Sequence, residues 1–180
     1  MIFLRLTFSF VFCTLLIATA HGQSSVGSTS PTSAYMKLYA AVKMGKTDGI
    51  KATMSAKTIE FCLMVSERNG TPLEKVFQNG LTATTFSQHL PTTRDERIKF
   101  NMGAVEVWNA KDGKWEDLPF IFEEGSWKLA VGELFAGTYK SPDSSRSRLA
   151  AEKASREREK RHPLPKTVVK PMIVVLDNQK

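Results

Sequence analysis

The sequence predicts an α+β domain: N-terminal helices packed on a curved antiparallel sheet. Three observations lead there. Early in the chain Tyr35, Leu38, Tyr39 and Val42 recur at i, i+3, i+4 and i+7, one apolar face of a helix. Later the apolar residues alternate singly with polar ones, the period of a half-buried strand. The third is the stretch 115–135, which reads as two strands joined by a tight turn at Glu123-Glu124-Gly125-Ser126, with Trp115 and Trp127 one on each.

Each element has its own signal. Ser30 is an N-cap and Pro31 a first helical residue, so the first helix starts there, and Gly45 ends it. Thr47-Asp48 opens a short second helix carrying Ile50 and Met54. Residues 55–68 read as a third helix whose apolar residues spread widely, which predicts thorough burial; a buried strand has a similar apolar signature. Asn69-Gly70 breaks it. Thr71-Pro72-Leu73-Glu74 has the form of a capping box, leading into an apolar face of Leu73, Val76 and Phe77. Asn69-Gly70-Thr71 also spells a glycosylation sequon, but a turn followed by a cap explains the same residues.

In the strand half, Ile98, Phe100 and Met102 alternate with polar neighbours, and after Gly103-Ala104 Val105 and Val107 become the apolar set. That change of phase predicts a bulge or sharp bend near Gly103. Asp112-Gly113 is a hairpin turn signal. Trp115, Phe120 and Phe122 then share a strand. Pro119 has no amide hydrogen to give, which places that strand at an edge or in a bulge. Trp127, Leu129 and Val131 alternate on the last strand, and Leu134-Phe135 closes the domain.

The chain divides into four parts. Residues 1–22 read as a secretory signal: Arg5, an apolar run over 6–18, and small residues at Ala18-Thr19-Ala20 before His21. That run is shorter than the roughly 20 residues that span a bilayer, so the expected product is exported, periplasmic or extracellular. Residues 23–30 form a Ser/Gly/Thr-rich spacer, 31–138 the domain, and 139–180 a basic tail. From 23 to 139 there are 13 Lys and Arg against 13 Asp and Glu; from 140 to 180 there are 11 against 5. The basic character of the chain therefore belongs to the tail. The neutral domain gives no support to nucleic-acid binding.

The tail opens with a polar linker over 141–147. Residues 149–161 are helix formers with paired charges four apart, Glu152 with Arg156 and Glu157 with Arg161, and Leu149 is the only large apolar side chain. Such a helix has no core face. It reads as a solvated arm, or as one that touches an acidic surface. Beyond His162-Pro163-Leu164-Pro165, the residues Val168-Val169 and Met172-Ile173-Val174-Val175-Leu176 suit a short strand that adds to a sheet edge.

Few residues carry chemistry. No metal-ligand cluster, phosphate loop or catalytic constellation appears, and no cofactor is implied. With Cys13 in the signal, Cys62 is the one remaining cysteine, set in an apolar run with nothing basic beside it, as a buried and inert thiol would be. His89 precedes Leu90-Pro91 in a loop and reads as a surface residue, and His162 belongs to the tail. Tyr35, Tyr39, Trp108, Trp115 and Trp127 are the candidate ligand-binding residues, although helix packing and cross-strand aromatic pairing account for the same positions.

Helices first and then a long antiparallel sheet, with Ser30-Pro31 before the helix of Tyr35 and Val42, Gly45-Lys46-Thr47-Asp48, and the run Leu118-Pro119-Phe120-Ile121-Phe122-Glu123-Glu124-Gly125-Ser126-Trp127-Lys128-Leu129, resemble the NTF2-like superfamily. The resemblance is in particular to its small exported domains of the lumazine-binding or DUF4878 kind, and it covers about residues 30–138. The resemblance implies a cone with a pocket between sheet and helices. It also implies a range of roles, from isomerases, dehydratases and cyclases with Asp, His or Tyr in that pocket to domains that bind ligands or proteins. The expectation is non-catalytic binding of a small hydrophobic ligand or a protein partner, with homodimerisation through the sheet face. The alternatives are a small isomerase or hydrolyase and an envelope-associated protein acting through its basic tail.

Overall fold

The computed structural model describes residues 27–161; the signal, residues 23–26 of the spacer and the apolar stretch 168–176 lie outside the described residues. The chain is α+β. Helices α1 (Pro31–Lys43), α2 (Thr47–Ala52), α3 (Ala56–Asn69) and α4 (Leu73–Gln78) come first, followed by a 3-10 turn at Ala83–Phe86. Strands β1 (Thr93–Lys99), β2 (Met102–Asn109), β3 (Lys114–Glu123) and β4 (Ser126–Leu129) make an open antiparallel sheet in the order β1-β2-β3-β4. Two helices end the described chain, α5 (Val131–Phe135) and α6 (Arg146–Arg161).

Local chemistry starts and stops the first helices. The Ser30 and Ser33 side chains each accept from the other's backbone amide, and Pro31 needs no amide partner at the first helical position. Gly45, at φ +63°, turns the chain out of α1, and Gly70, at φ +61°, caps α3. The expected capping box at Thr71 does not form. Pro72 is the N-cap of α4, and its ψ of 135° leaves Thr71 a further residue outside, with no side-chain cap.

One face of the sheet carries the core. Tyr35 and Leu38 of α1, Ile50 of α2, and Val105, Val107, Phe120 and Leu129 of the sheet are all fully buried, and fill the space between helices and strands. Cys62 and Thr58 are the buried residues of α3, while Leu63 and Met64 are exposed. The thorough burial expected of α3 is thus confined to one side. The helix lies at the margin of the domain, where the short α5 covers part of it.

The strands correct three expectations. Ile98 and Met102 belong to different strands, because the chain reverses at Phe100-Asn101. The change of phase is that hairpin, and β2 pairs regularly through Gly103. Gly103 is needed for a different reason: a Cβ there would come 2.6 Å from Pro31 and 2.7 Å from the Trp127 ring. The bulge is in β1, between Arg94 and Arg97, with Asp95 at φ +54°. Pro119 sits in β3, which is internal to the sheet. Its carbonyl accepts from Ala130, so its missing amide faces the end of β4, where pairing stops at Leu129. Finally, Val131 does not continue β4. Ala130, at ψ 43°, leaves the strand and α5 begins.

Both faces and one edge are covered. Along β4 the Trp127 amide donates to Ser28, the Leu129 amide to Thr53, and the Leu129 carbonyl accepts from Ser55. The expected polar linker is a strap across the outer sheet face. Tyr139 donates to the Gly103 carbonyl, Arg97 donates to the Asp143 carbonyl, and the amides of Arg146 and Ser147 donate to Asp95 and Glu106. Backbone polar groups of the linker find partners there that water supplies in a free loop.

Candidate functional site

The five candidate residues do not converge. Tyr35 is in the core. Its hydroxyl makes no hydrogen bond although Thr84 lies beside it, and burial pushes its pKa up to about 12. Tyr39 lies on the flank of α1 and donates to the carbonyls of Ser87 and Gln88, which pins that loop. Trp127 is buried on the inner face, with its ring 5.4 Å from that of Phe122. Trp108 and Trp115 are cross-strand partners, 5.3 Å apart, on the opposite, outer face. Helix packing and sheet pairing account for each of them.

The outer face instead holds an ionic cluster that the sequence did not suggest. The β1 bulge lets Arg94 pair with Glu106 and Arg97 with Ala104, two residues apart on β2, so both guanidinium groups reach the same side. Arg94 Nε donates to Glu106 at 2.7 Å, its other end donates to Ser147, and its guanidinium carbon stands 3.8 Å from the Trp115 ring centre. Arg97 pairs with Asp117 and Asp95. Glu106 is fully buried. Burial alone would raise its pKa, but the amide and hydroxyl of Ser147 together with Arg94 outweigh that and hold it below the ordinary value. Burial raises the pKa of Asp117 in spite of Arg97. Every member of this cluster has a partner, which is the mark of a structural latch.

The second feature lies between α3 and α5. Gly132 is seated so closely on α3 that its amide donates to Thr58 Oγ1 at 3.0 Å. Beneath it Ser55 donates to the buried Glu133 carboxylate at 2.7 Å, and Thr58 donates to the Leu129 carbonyl. This buried polar pin fixes α5 to α3 and to the end of β4. It also fixes a cleft of about 360 Å³ lined by Lys57, Glu60, Phe61, Met64, Gly132, Phe135 and Ala136. The rings of Phe61 and Phe135 stack at 4.5 Å and 10°. Phe135 is 70% exposed and Met64 55%. Aromatic and thioether surface is thus exposed beside a buried polar support.

His89 and Cys62 are the described residues that the sequence offered for acid–base and nucleophilic chemistry. No cluster of three potential metal ligands exists among the described residues. His89 is exposed in its loop. Cys62 is fully buried, and burial pushes its thiol up to about 11. A disulfide reagent at neutral pH is therefore expected to leave Cys62 unmodified in the native fold and to label it on unfolding; labelling of Cys62 without denaturant would contradict that burial.

The site was missed in the sequence because its two halves are 74 residues apart, Phe61 and Phe135, and the second was read as the end of a strand. A usable signal existed. Gly132 directly after a strand, followed by Glu133-Leu134-Phe135, interrupts the period of two. Comparison with models of protein families, with curated proteins and with solved structures gives no match.

Proposed function

We propose that this chain is an exported, non-catalytic binding domain of the NTF2-like type, and that it holds an apolar side chain of a protein partner in the cleft between α3 and α5. The NTF2-like reading draws support from N-terminal helices packed on one face of an antiparallel sheet. A non-catalytic role fits an interior occupied by Tyr35, Leu38, Ile50, Phe120 and Leu129, where a cone enzyme would need an open pocket with ionisable groups.

The single observation that carries the partner reading is the stacked Phe61–Phe135 pair, with most of Phe135 and Met64 in water. An isolated domain gains nothing by rigidly presenting aromatic surface to solvent, whereas a partner gains a preorganised anchor. A photo-crosslinking residue placed at Met64 in cells that make the protein is expected to give a discrete adduct with one protein. Phe135→Ser should weaken that contact by about 30-fold or more, the loss of a hot-spot aromatic, and remove the adduct. No adduct at Met64, or the same adducts from a crosslinker at exposed Lys111 on the β2–β3 turn, would overturn the reading.

A further inference from the structure

Helix α6 runs for 16 residues with none buried, a length of about 24 Å. It touches the domain through its first turn only, where Ser145 accepts from Arg148 and the Arg146 and Ser147 amides are held by Asp95 and Glu106. A polar helix of this length is marginal alone. Here the latch on the sheet supplies its nucleus, and the helix formers Ala150, Ala151, Glu152, Lys153 and Ala154 extend it. The product is a rod fixed at one end.

The rod is cationic, with seven Lys and Arg against three Glu. Glu152 is taken up by Arg148 at 3.0 Å and Arg156 at 3.7 Å. Leu149, Lys153, Arg156 and Lys160 share one side of the helix with Glu152 and Glu157. With seven cations against three carboxylates, two copies of α6 carry the same net charge and repel each other. The sequence past Arg161 adds Lys166, Lys170 and Lys180 against Asp177, together with the apolar run Met172-Ile173-Val174-Val175-Leu176. Cations followed at once by apolar residues match a surface with anionic headgroups above hydrocarbon; a nucleic acid or acidic protein would use the charge and leave the apolar run idle.

We propose that α6 is an electrostatic arm that docks the domain on an anionic lipid bilayer. The proposal is independent of the α3–α5 cleft. Each Lys or Arg near an anionic surface strengthens binding about five-fold. Neutralising Lys153, Arg156 and Lys160 together, as K153Q/R156Q/K160Q, is therefore expected to weaken binding about 100-fold. Because α6 buries nothing, the thermal unfolding of the domain should stay unchanged in this variant.

The test is co-sedimentation of the full chain with vesicles rich in phosphatidylglycerol, beside phosphatidylcholine vesicles and an oligonucleotide of matched charge. The expected result is binding to phosphatidylglycerol that falls with rising ionic strength and is lost in the triple variant. Equal binding to both vesicle types, an unchanged affinity in the triple variant, or binding to the oligonucleotide without binding to vesicles would each overturn the proposal. Since the wild type is the control for the variant, any contribution of the apolar N-terminal residues cancels.

Discussion

Gly132→Ala is expected to destabilise the domain by about 3 kcal/mol, lowering its melting temperature by on the order of 10 °C. The added Cβ would come 2.2 Å from the Lys57 carbonyl oxygen, 2.3 Å from its carbon and 2.5 Å from the Thr58 nitrogen. These are backbone atoms inside a helix, and no rotamer change can move them. Helix α5 has to lift off α3. The lift breaks the Gly132–Thr58 hydrogen bond and draws Glu133 away from Ser55, which leaves a carboxylate stranded in a dry site. It also parts the Phe61–Phe135 stack. Circular dichroism melts measure the loss. A melt within 2 °C of wild type (the scale of a change below about 1 kcal/mol) would show that α5 docks less tightly than these distances state.

That substitution also separates support from contact at the α3–α5 cleft. Phe135→Ser removes exposed aromatic surface and should scarcely change the melt, since the side chain is 70% in water. Gly132→Ala leaves every cleft side chain in the sequence and should still lose the partner.

Features that depend on neighbouring residues were legible in the sequence. The cap at Ser30-Pro31, the stops at Gly45 and Gly70, and the turn before Trp127 are local devices, and the chain forms them where their residues stand. What misled was alternation that crossed a turn. Ile98, Phe100 and Met102 keep the period of one strand, yet Phe100 and Asn101 make the reversal, with Phe100 at φ +56° where Asn or Gly is usual. No propensity favours Phe there; pairing of β1 with β2 imposes it. Pro119 misled in a subtler way. An internal strand has an exposed edge wherever its neighbour is short, and β4 has only four residues.

The candidate site was less legible than the fold because its parts are long-range. Phe61 meets Phe135, and Glu106 meets Arg94 and Ser147, only after the sheet and helices have assembled. Conspicuous aromatics drew attention to Trp115 and Trp127, which turn out to stand on opposite faces of the sheet, each with a structural partner. A polar linker and a strap are also identical as sequence. Whether residues 141–147 float or dock depends on Asp95, Arg97 and Glu106, 41 to 51 residues earlier.

Glu106→Gln is expected to cost about 2 kcal/mol at pH 7, the difference between charge-assisted and neutral hydrogen bonds at a buried acceptor with three donors. The side chain keeps its shape, so the loss reports charge. Its pH dependence has a definite sign. The folded-state pKa of Glu106 is depressed, so its contribution is fully present above the unfolded value of about 4.3 and is lost as pH falls through the lower folded value. Wild type and variant should therefore differ at neutral pH and converge below about pH 4. Asp117 works the other way: burial raises its pKa, so its protonation on acidification favours the fold. Arg94, Arg97, Asp95 and Asp117 surround Glu106 in both proteins, and subtracting the two curves removes their share. Locally, the Ser147 amide loses its carboxylate acceptor, so hydrogen exchange at Arg146, Ser147 and Leu149 should quicken while Val105 and Leu129 stay protected. If the two stability curves ran parallel from pH 7 to pH 3, the charge of Glu106 would not be what fastens the strap and α6 to the sheet.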